Sequence, residues 1–180
     1  MLRWSEKRRD AAPHFASGDC AMIQRMVPIA QFAVGTADTL LVTIGLGSCV
    51  GIALLAPRQR IGALAHVLLP HAALSTQHPL LGKVPSSAVP AMLDVMRGLG
   101  AVGEIEGRLV GGASMFAPLL SAGAVSLGTR NVNAARAACV ASNIPIVGEA
   151  VGGDFGRSVY FDVGAGRIVV RSVRGDDVFL

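Results

Sequence analysis

The sequence predicts a mixed α/β domain of short strands, hairpins and two helices, rather than a regular doubly wound parallel sheet. Three observations predict it. Apolar runs of strand length recur along the chain, and two of them flank the tight turn PRQR at residues 57–60. Two segments carry helical apolar spacing, around residues 86–98 and 129–142. Hairpins outnumber the strand–helix–strand crossovers that a parallel sheet would need.

The elements follow in order. Residues 1–21 show no apolar period and mix charge with small residues, so they are expected to form a flexible basic tail ahead of one folded domain, residues 22–180. VPIAQFAV (27–34) and TLLVTI (39–44) read as strands. CVGIALLA (49–56) and IGALAHVLLP (61–70) read as the two arms of a hairpin centred between Arg58 and Gln59, which sets residue 49 opposite about residue 68. A Pro- and Ser-rich connection leads to the first helix. Ser86 or Ser87 is its candidate cap, Pro90 falls in its first turn, and Gly98 and Gly100 end it. Val89, Met92, Leu93 and Met96 give it one apolar face.

EGRLVGGASMF (106–116) reads as a strand entering a loop. The second helix has Thr129 as candidate cap and Val132, Ala135, Cys139 and Val140 as its apolar face. IPIVGEAV, SVYFDV and RIVVRSV complete a count of about seven strands, the last two joined by the short turn GAG.

Composition narrows the function. Apolar residues make up 52% of the 180 and charged residues 16%, enough for a sizeable core without disulfides or a structural metal. The formal charge of +4 is concentrated in Arg3, Lys7, Arg8 and Arg9, so the basic balance gives no argument for nucleic acid. The three cysteines, Cys20, Cys49 and Cys139, form no C-x-x-C pair, which favours a reducing, cytoplasmic setting and no metal site. No apolar run reaches the roughly 18–20 residues of a membrane span, so no membrane insertion is expected.

The informative stretch is TLLVTIGLGSCVGIALLAP (39–57). Its glycines fit a loose dinucleotide loop, but that loop must run on into a helix. Pro57 leaves too little room for one, and no carboxylate stands roughly 20 residues on. Cys49 then has two readings. It is either a small buried residue, as Cys139 is on its helix face, or a nucleophile. A nucleophile needs a base, a group to orient that base, and donors for an oxyanion. His66 on the facing strand is the candidate base, Thr43 the orienter, and the Gly47–Ser48 turn the oxyanion loop. A lone histidine on an apolar strand is also commonly a hydrogen-bonded core residue. On the residues alone the two readings are level.

TIGLGSCV, GALAHVLLP, RLVGGASMF, GTRNVNAAR and IPIVGEAVGGDFGRSVYFD occur in the order of a known family. Over roughly residues 27–173 the chain resembles the chemoreceptor glutamine deamidases of bacterial chemotaxis, the CheD family. The resemblance implies a mixed α/β sandwich with flanking helices, of cysteine-hydrolase type. It implies conversion of receptor glutamines to glutamates, with ammonia released, by Cys49, His66 and Thr43. It further implies contacts to substrate from Gly112, Ser114 and Arg157, and no cofactor. The implied partners are chemoreceptor cytoplasmic domains and a CheC-type phosphatase; the alternative role is a non-catalytic adaptor to such partners. Two departures affect substrate fit: GKVPSSAVP lacks the tyrosine and aspartate often seen there, and Ser114 replaces a common asparagine.

Overall fold

The computed structural model describes residues 22–72, 80–115, 124–172 and 174–180. Residues 1–21, with the expected tail and Cys20, lie outside the described residues, as does His78.

The described chain runs β1 (Ile23–Met26), β2 (Phe32–Gly35), β3 (Thr39–Leu46), β4 (Val50–Ala56), β5 (Ile61–Val67), α1 (Pro85–Gly98), β6 (Glu106–Gly111), α2 (Leu127–Ala141), β7 (Ile146–Val151), β8 (Arg157–Asp162), β9 (Arg167–Ser172) and β10 (Val178–Phe179). Two five-stranded sheets result, ordered β1-β3-β8-β9-β10 and β2-β5-β4-β6-β7. All pairings are antiparallel except β1 with β3 and β6 with β7. The β6–β7 pair is joined by α2, the long crossover that a parallel pair requires. This is the mixed α/β sandwich expected.

Every residue of β4 and β5 is buried, because their sheet is the middle layer. Val50, Ile52, Leu54, Ala63, Ala65 and Val67 face the helices and meet Ala88, Val89, Met92, Val132 and Ala135. Cys49, Ala53, Leu55 and Leu64 face the other sheet and meet Leu41, Val159, Phe161 and Ile168. The period-2 alternation of strand side chains produces this division. It also explains the unbroken apolar runs, since both faces are covered.

Several expectations change. Ten described strands stand against an expected count of about seven, and β1 and β10, short and exposed, match no run read as a strand. VPIAQFAV is not one strand, because Ala30 turns at φ 63° and pairing begins only at Phe32. The first helix starts at Pro85, capped by no side chain, so neither Ser86 nor Ser87 is its cap. Pro90 therefore falls in the second turn and leaves the Ser86 carbonyl without its helical donor. Both residues are exposed, so that carbonyl is open to solvent. The second helix starts two residues before Thr129. Its cap is Ser126, whose Oγ accepts the Thr129 N–H at 3.1 Å. Val140 is 72% exposed and leaves the apolar face to Val132, Ala135 and Cys139.

Among the described residues no helix is long and apolar enough to cross a membrane. The layer assignment predicts a contrast in denaturant unfolding. Met92→Ala, in the fully buried contact between helix and sheet, should lower stability by about 2–5 kcal/mol. Val140→Thr should change it by less than about 0.5 kcal/mol. Similar losses for the two would overturn the assignment.

Candidate active site

The hairpin fixes the relation between Cys49 and His66. Val50 pairs with Val67 and Gly51 with His66. Cys49 therefore stands opposite Leu68 and, two residues from Gly51, on the same sheet face as the imidazole. Such diagonal neighbours lie about 7–8 Å apart at Cα and remain within reach of a ring. Gly51, directly across from His66, contributes no side chain to that space, and a Cβ there would stand 3.0 Å from Leu46 Cδ1.

Thr43 comes from the other sheet. Between Thr43 and Leu46 the pairing of β3 with β8 gains one residue in β3, a bulge. Thr43 and Leu46 are both fully buried, while Ile44 and Gly45 between them are exposed. The Thr43 hydroxyl lies 2.8 Å from His66 Nδ1 and donates to the Val27 carbonyl, also at 2.8 Å.

That pair of bonds sets the imidazole tautomer. A hydroxyl has one hydrogen, and Val27 takes it. Thr43 Oγ1 must then accept from His66, which places the ring proton on Nδ1. Nε2 keeps its lone pair, and it is buried with no hydrogen-bond partner among the described residues. The His66 main chain is held as well: Ala30 N–H donates to its carbonyl at 2.9 Å and its own N–H donates to Gln31 at 3.0 Å.

Burial lowers the His66 pKa from 6.5 to about 4 and raises that of the Cys49 thiol above its usual 9.0. The resting pair is a neutral thiol and a neutral imidazole with its basic nitrogen unoccupied. Cys139 differs. It is fully buried in the helix-facing core, and burial pushes its thiol up to about 11, as suits a filler.

The loop before Cys49 is held by main-chain bonds. Gly112 N–H donates to the Cys49 carbonyl and Ala113 N–H to Gly47, both at 2.7 Å. This approach requires glycine. A Cβ at Gly111, where φ is 105°, would stand 2.5 Å from the Cys49 oxygen, and one at Gly112, where φ is 65°, would collide with Val132. Gly47 does not present a free donor, because its N–H bonds Gly45 at 2.9 Å. Ser48 and Cys49 donate their main-chain N–H groups to no carbonyl among the described residues.

Gly112, Ser114 and Arg157 gather near this loop, and each spends polar groups within the protein. Ser114 donates its N–H to Gly153 at 2.8 Å and bonds its Oγ to Ser126. Arg157 donates to the Gly152 carbonyl at 2.7 Å and lies over the Phe155 ring at 4.4 Å. The residue that sequence reasoning left without a role is Asn131. Its Nδ2 donates to the Ser48 carbonyl at 2.8 Å and to Leu68 at 3.1 Å. The available signal was a polar side chain on the buried face of a helix, where an amide must find partners.

Removing the Thr43 hydroxyl tests the bridge between the sheets. Thr43→Val leaves the Val27 carbonyl and His66 Nδ1 buried and unpaired, which should cost about 1–3 kcal/mol in urea unfolding. Thr43→Ser should recover most of it. A larger loss from Thr43→Ser than from Thr43→Val would mean that the methyl group, not the hydroxyl, does the holding.

The chain was compared with known proteins. The family model described as CheD chemotactic sensory transduction matches residues 68–172. A probable chemoreceptor glutamine deamidase CheD of Geobacter metallireducens is 43% identical over 150 residues, 82% of this chain and 93% of that relative. The chemoreceptor glutamine deamidase CheD of Thermotoga maritima is 33% identical over 156 residues, 86% of this chain and 96% of its own length. A probable one from Archaeoglobus fulgidus is 39% identical over 156 residues, 86% and 97% of the two chains. A family-model match over more than half of the sequence, with relatives aligned along nearly their whole length, establishes that the chain belongs to the CheD family.

Proposed function

We propose that this protein is a chemoreceptor glutamine deamidase, with Cys49 as nucleophile, His66 as general base and acid, and Thr43 as the orienter of His66. The observation that carries the reading is the buried His66 Nε2, neutral and with no hydrogen-bond partner among the described residues, on the same sheet face as Cys49. The names of the relatives supply the substrate.

Cys49 Sγ attacks the side-chain amide carbon of a receptor glutamine while its proton passes to His66 Nε2. The amide oxygen becomes an oxyanion, and the Ser48 and Cys49 N–H groups, which bond no main-chain carbonyl among the described residues, are its donors in this reading. His66 then gives its proton to the departing nitrogen, which leaves as ammonia, and a thioester remains. Protonation is essential, since ammonia leaves far more readily than amide anion. Water, deprotonated by His66, attacks the thioester. The C–S bond breaks, the thiol recovers its proton, and glutamate is the product. Thr43 keeps Nδ1 protonated throughout, so Nε2 alone exchanges protons.

The working setting is the cytoplasm, where residues 22–180 act as the deamidase domain on receptor cytoplasmic domains; the free thiols of Cys49 and Cys139 fit a reducing compartment. A CheC-type phosphatase is the second partner of this reading, on the family resemblance alone.

Incubation with receptor cytoplasmic fragments, followed by peptide mass spectrometry, tests the assignment. The wild type should convert glutamine to glutamate, and Cys49→Ala should not. Conversion by Cys49→Ala, or none by the wild type, would overturn it. The pH profile adds a second check. A base whose pKa is lowered stays deprotonated to lower pH, so the acid limb of kcat/KM should fall near 4 and not near 6.5.

A further inference from the structure

Asn131 is fully buried, 83 residues from Ser48 and 63 from Leu68 in the chain, yet its amide joins both carbonyls. Ser48 immediately precedes Cys49, and Leu68 faces Cys49 across the hairpin, two residues after His66. The two bonds therefore tie the entry to the nucleophile to the exit from the base strand. They act at the end of the β4–β5 ladder, whose last pair is Val50 with Val67. Beyond that pair the ladder ends, and the Leu68 N–H bonds Lys83.

Asn131 is itself firmly placed. It lies in the first half of α2, whose cap residue Ser126 is bonded to Ser114 on the loop that also holds Cys49 and Gly47. Gly128 lies so close to the Gly112 and Ala113 carbonyls that a Cβ would stand 2.4 Å from each. The helix start is thus locked to the nucleophile loop from one side, and Asn131 reaches it from the other.

Its Oδ1 is buried with no partner among the described residues. A buried amide with one unpaired acceptor is unfavourable for stability. The two donor bonds of Nδ2 are what it offers in return, and both end beside the reacting groups.

We propose that Asn131 is a positioning residue for deamidation: its side-chain amide clamps the Ser48 and Leu68 carbonyls and so holds Cys49 in attacking register with His66. The inference rests on the reading of Cys49 as nucleophile. Losing the clamp lets the loop drift relative to a base strand that stays in place, and small displacements of reacting groups carry large rate penalties.

The test compares wild type, Asn131→Ala and Asn131→Asp, with near-ultraviolet circular dichroism reporting the fold. Asn131→Ala should lower kcat by about 10–100-fold while KM stays within about twofold. Asn131→Asp can donate a hydrogen bond only when its carboxyl is protonated. Its kcat relative to wild type should therefore rise at least about threefold as pH is lowered from about 8 to about 5.5. Should Asn131→Ala fail to fold, this recovery decides alone. Values of kcat within about twofold of wild type, or no recovery at low pH, would overturn the proposal. A third readout needs no substrate: the rate at which iodoacetamide modifies Cys49, resolved from other cysteines by peptide mass spectrometry. The freed loop should react at least about threefold faster, with Cys139 unchanged. If the wild type deamidates no receptor fragment, this rate still judges Asn131, and equal rates in variant and wild type would reject the clamp.

Discussion

The hydrogen bond between Thr43 and His66 is the constraint on which the site depends. It crosses from one sheet to the other in an interior otherwise filled by Leu41, Leu46, Val159 and Phe161. In such surroundings a polar group must be satisfied or it destabilises the fold. Thr43 satisfies Nδ1 and, by donating to Val27, leaves its own oxygen able only to accept. The chemistry then follows from arithmetic on one hydrogen: Nδ1 is protonated, Nε2 is not, and the basic nitrogen remains open. The link between β1 and β2 completes the arrangement, since Val27 holds the threonine while Ala30 and Gln31 hold the His66 main chain. The positive φ of Ala30 belongs to the turn that brings both ends of this short segment into use.

The proposed nucleophile is placed by a different device. Cys49 sits where β4 begins, at the meeting of a bulged strand, a glycine turn and the start of α2. Glycine lets the 111–112 turn approach the Cys49 carbonyl, and Asn131 closes the far side. Rigid elements thus converge on a loop of only three residues between β3 and β4. The neutral resting pair suits this enclosure. Burial at this depth disfavours a thiolate and an imidazolium alike.

Much of this was legible in the sequence because its causes are local. The PRQR turn centred the hairpin, and the centring alone put residue 49 opposite 68, in register with the observed Val50–Val67 pair. The apolar runs of β4 and β5 marked the two arms of that hairpin, and the structure covers both of their faces. Dinucleotide binding was excluded by Pro57 and a missing carboxylate, and β4 is indeed a strand where that loop needs a helix. What was not legible depends on contacts distant in the chain. Thr129 was the cap read from the sequence, but α2 starts where Gly128 meets the 112–113 carbonyls, and Ser126 caps it. Val140 fits an apolar stripe by spacing, but the helix is rotated to bury Asn131 instead. Gly47 looked like an oxyanion donor until its N–H was found bonded to Gly45. No periodicity encodes a bond between residues 83 positions apart.

The central claim is the tautomer, and nitrogen-15 NMR of the histidine rings reads it directly. At neutral pH His66 should show a protonated Nδ1 with a directly bonded hydrogen and an unprotonated Nε2. The ring should keep that form down to pH values well below 6.5, since burial sets its pKa near 4. A proton found on Nε2 in the resting protein, or a doubly protonated ring at neutral pH, would contradict this assignment, because the proposed base would then have no lone pair with which to take the Cys49 thiol proton.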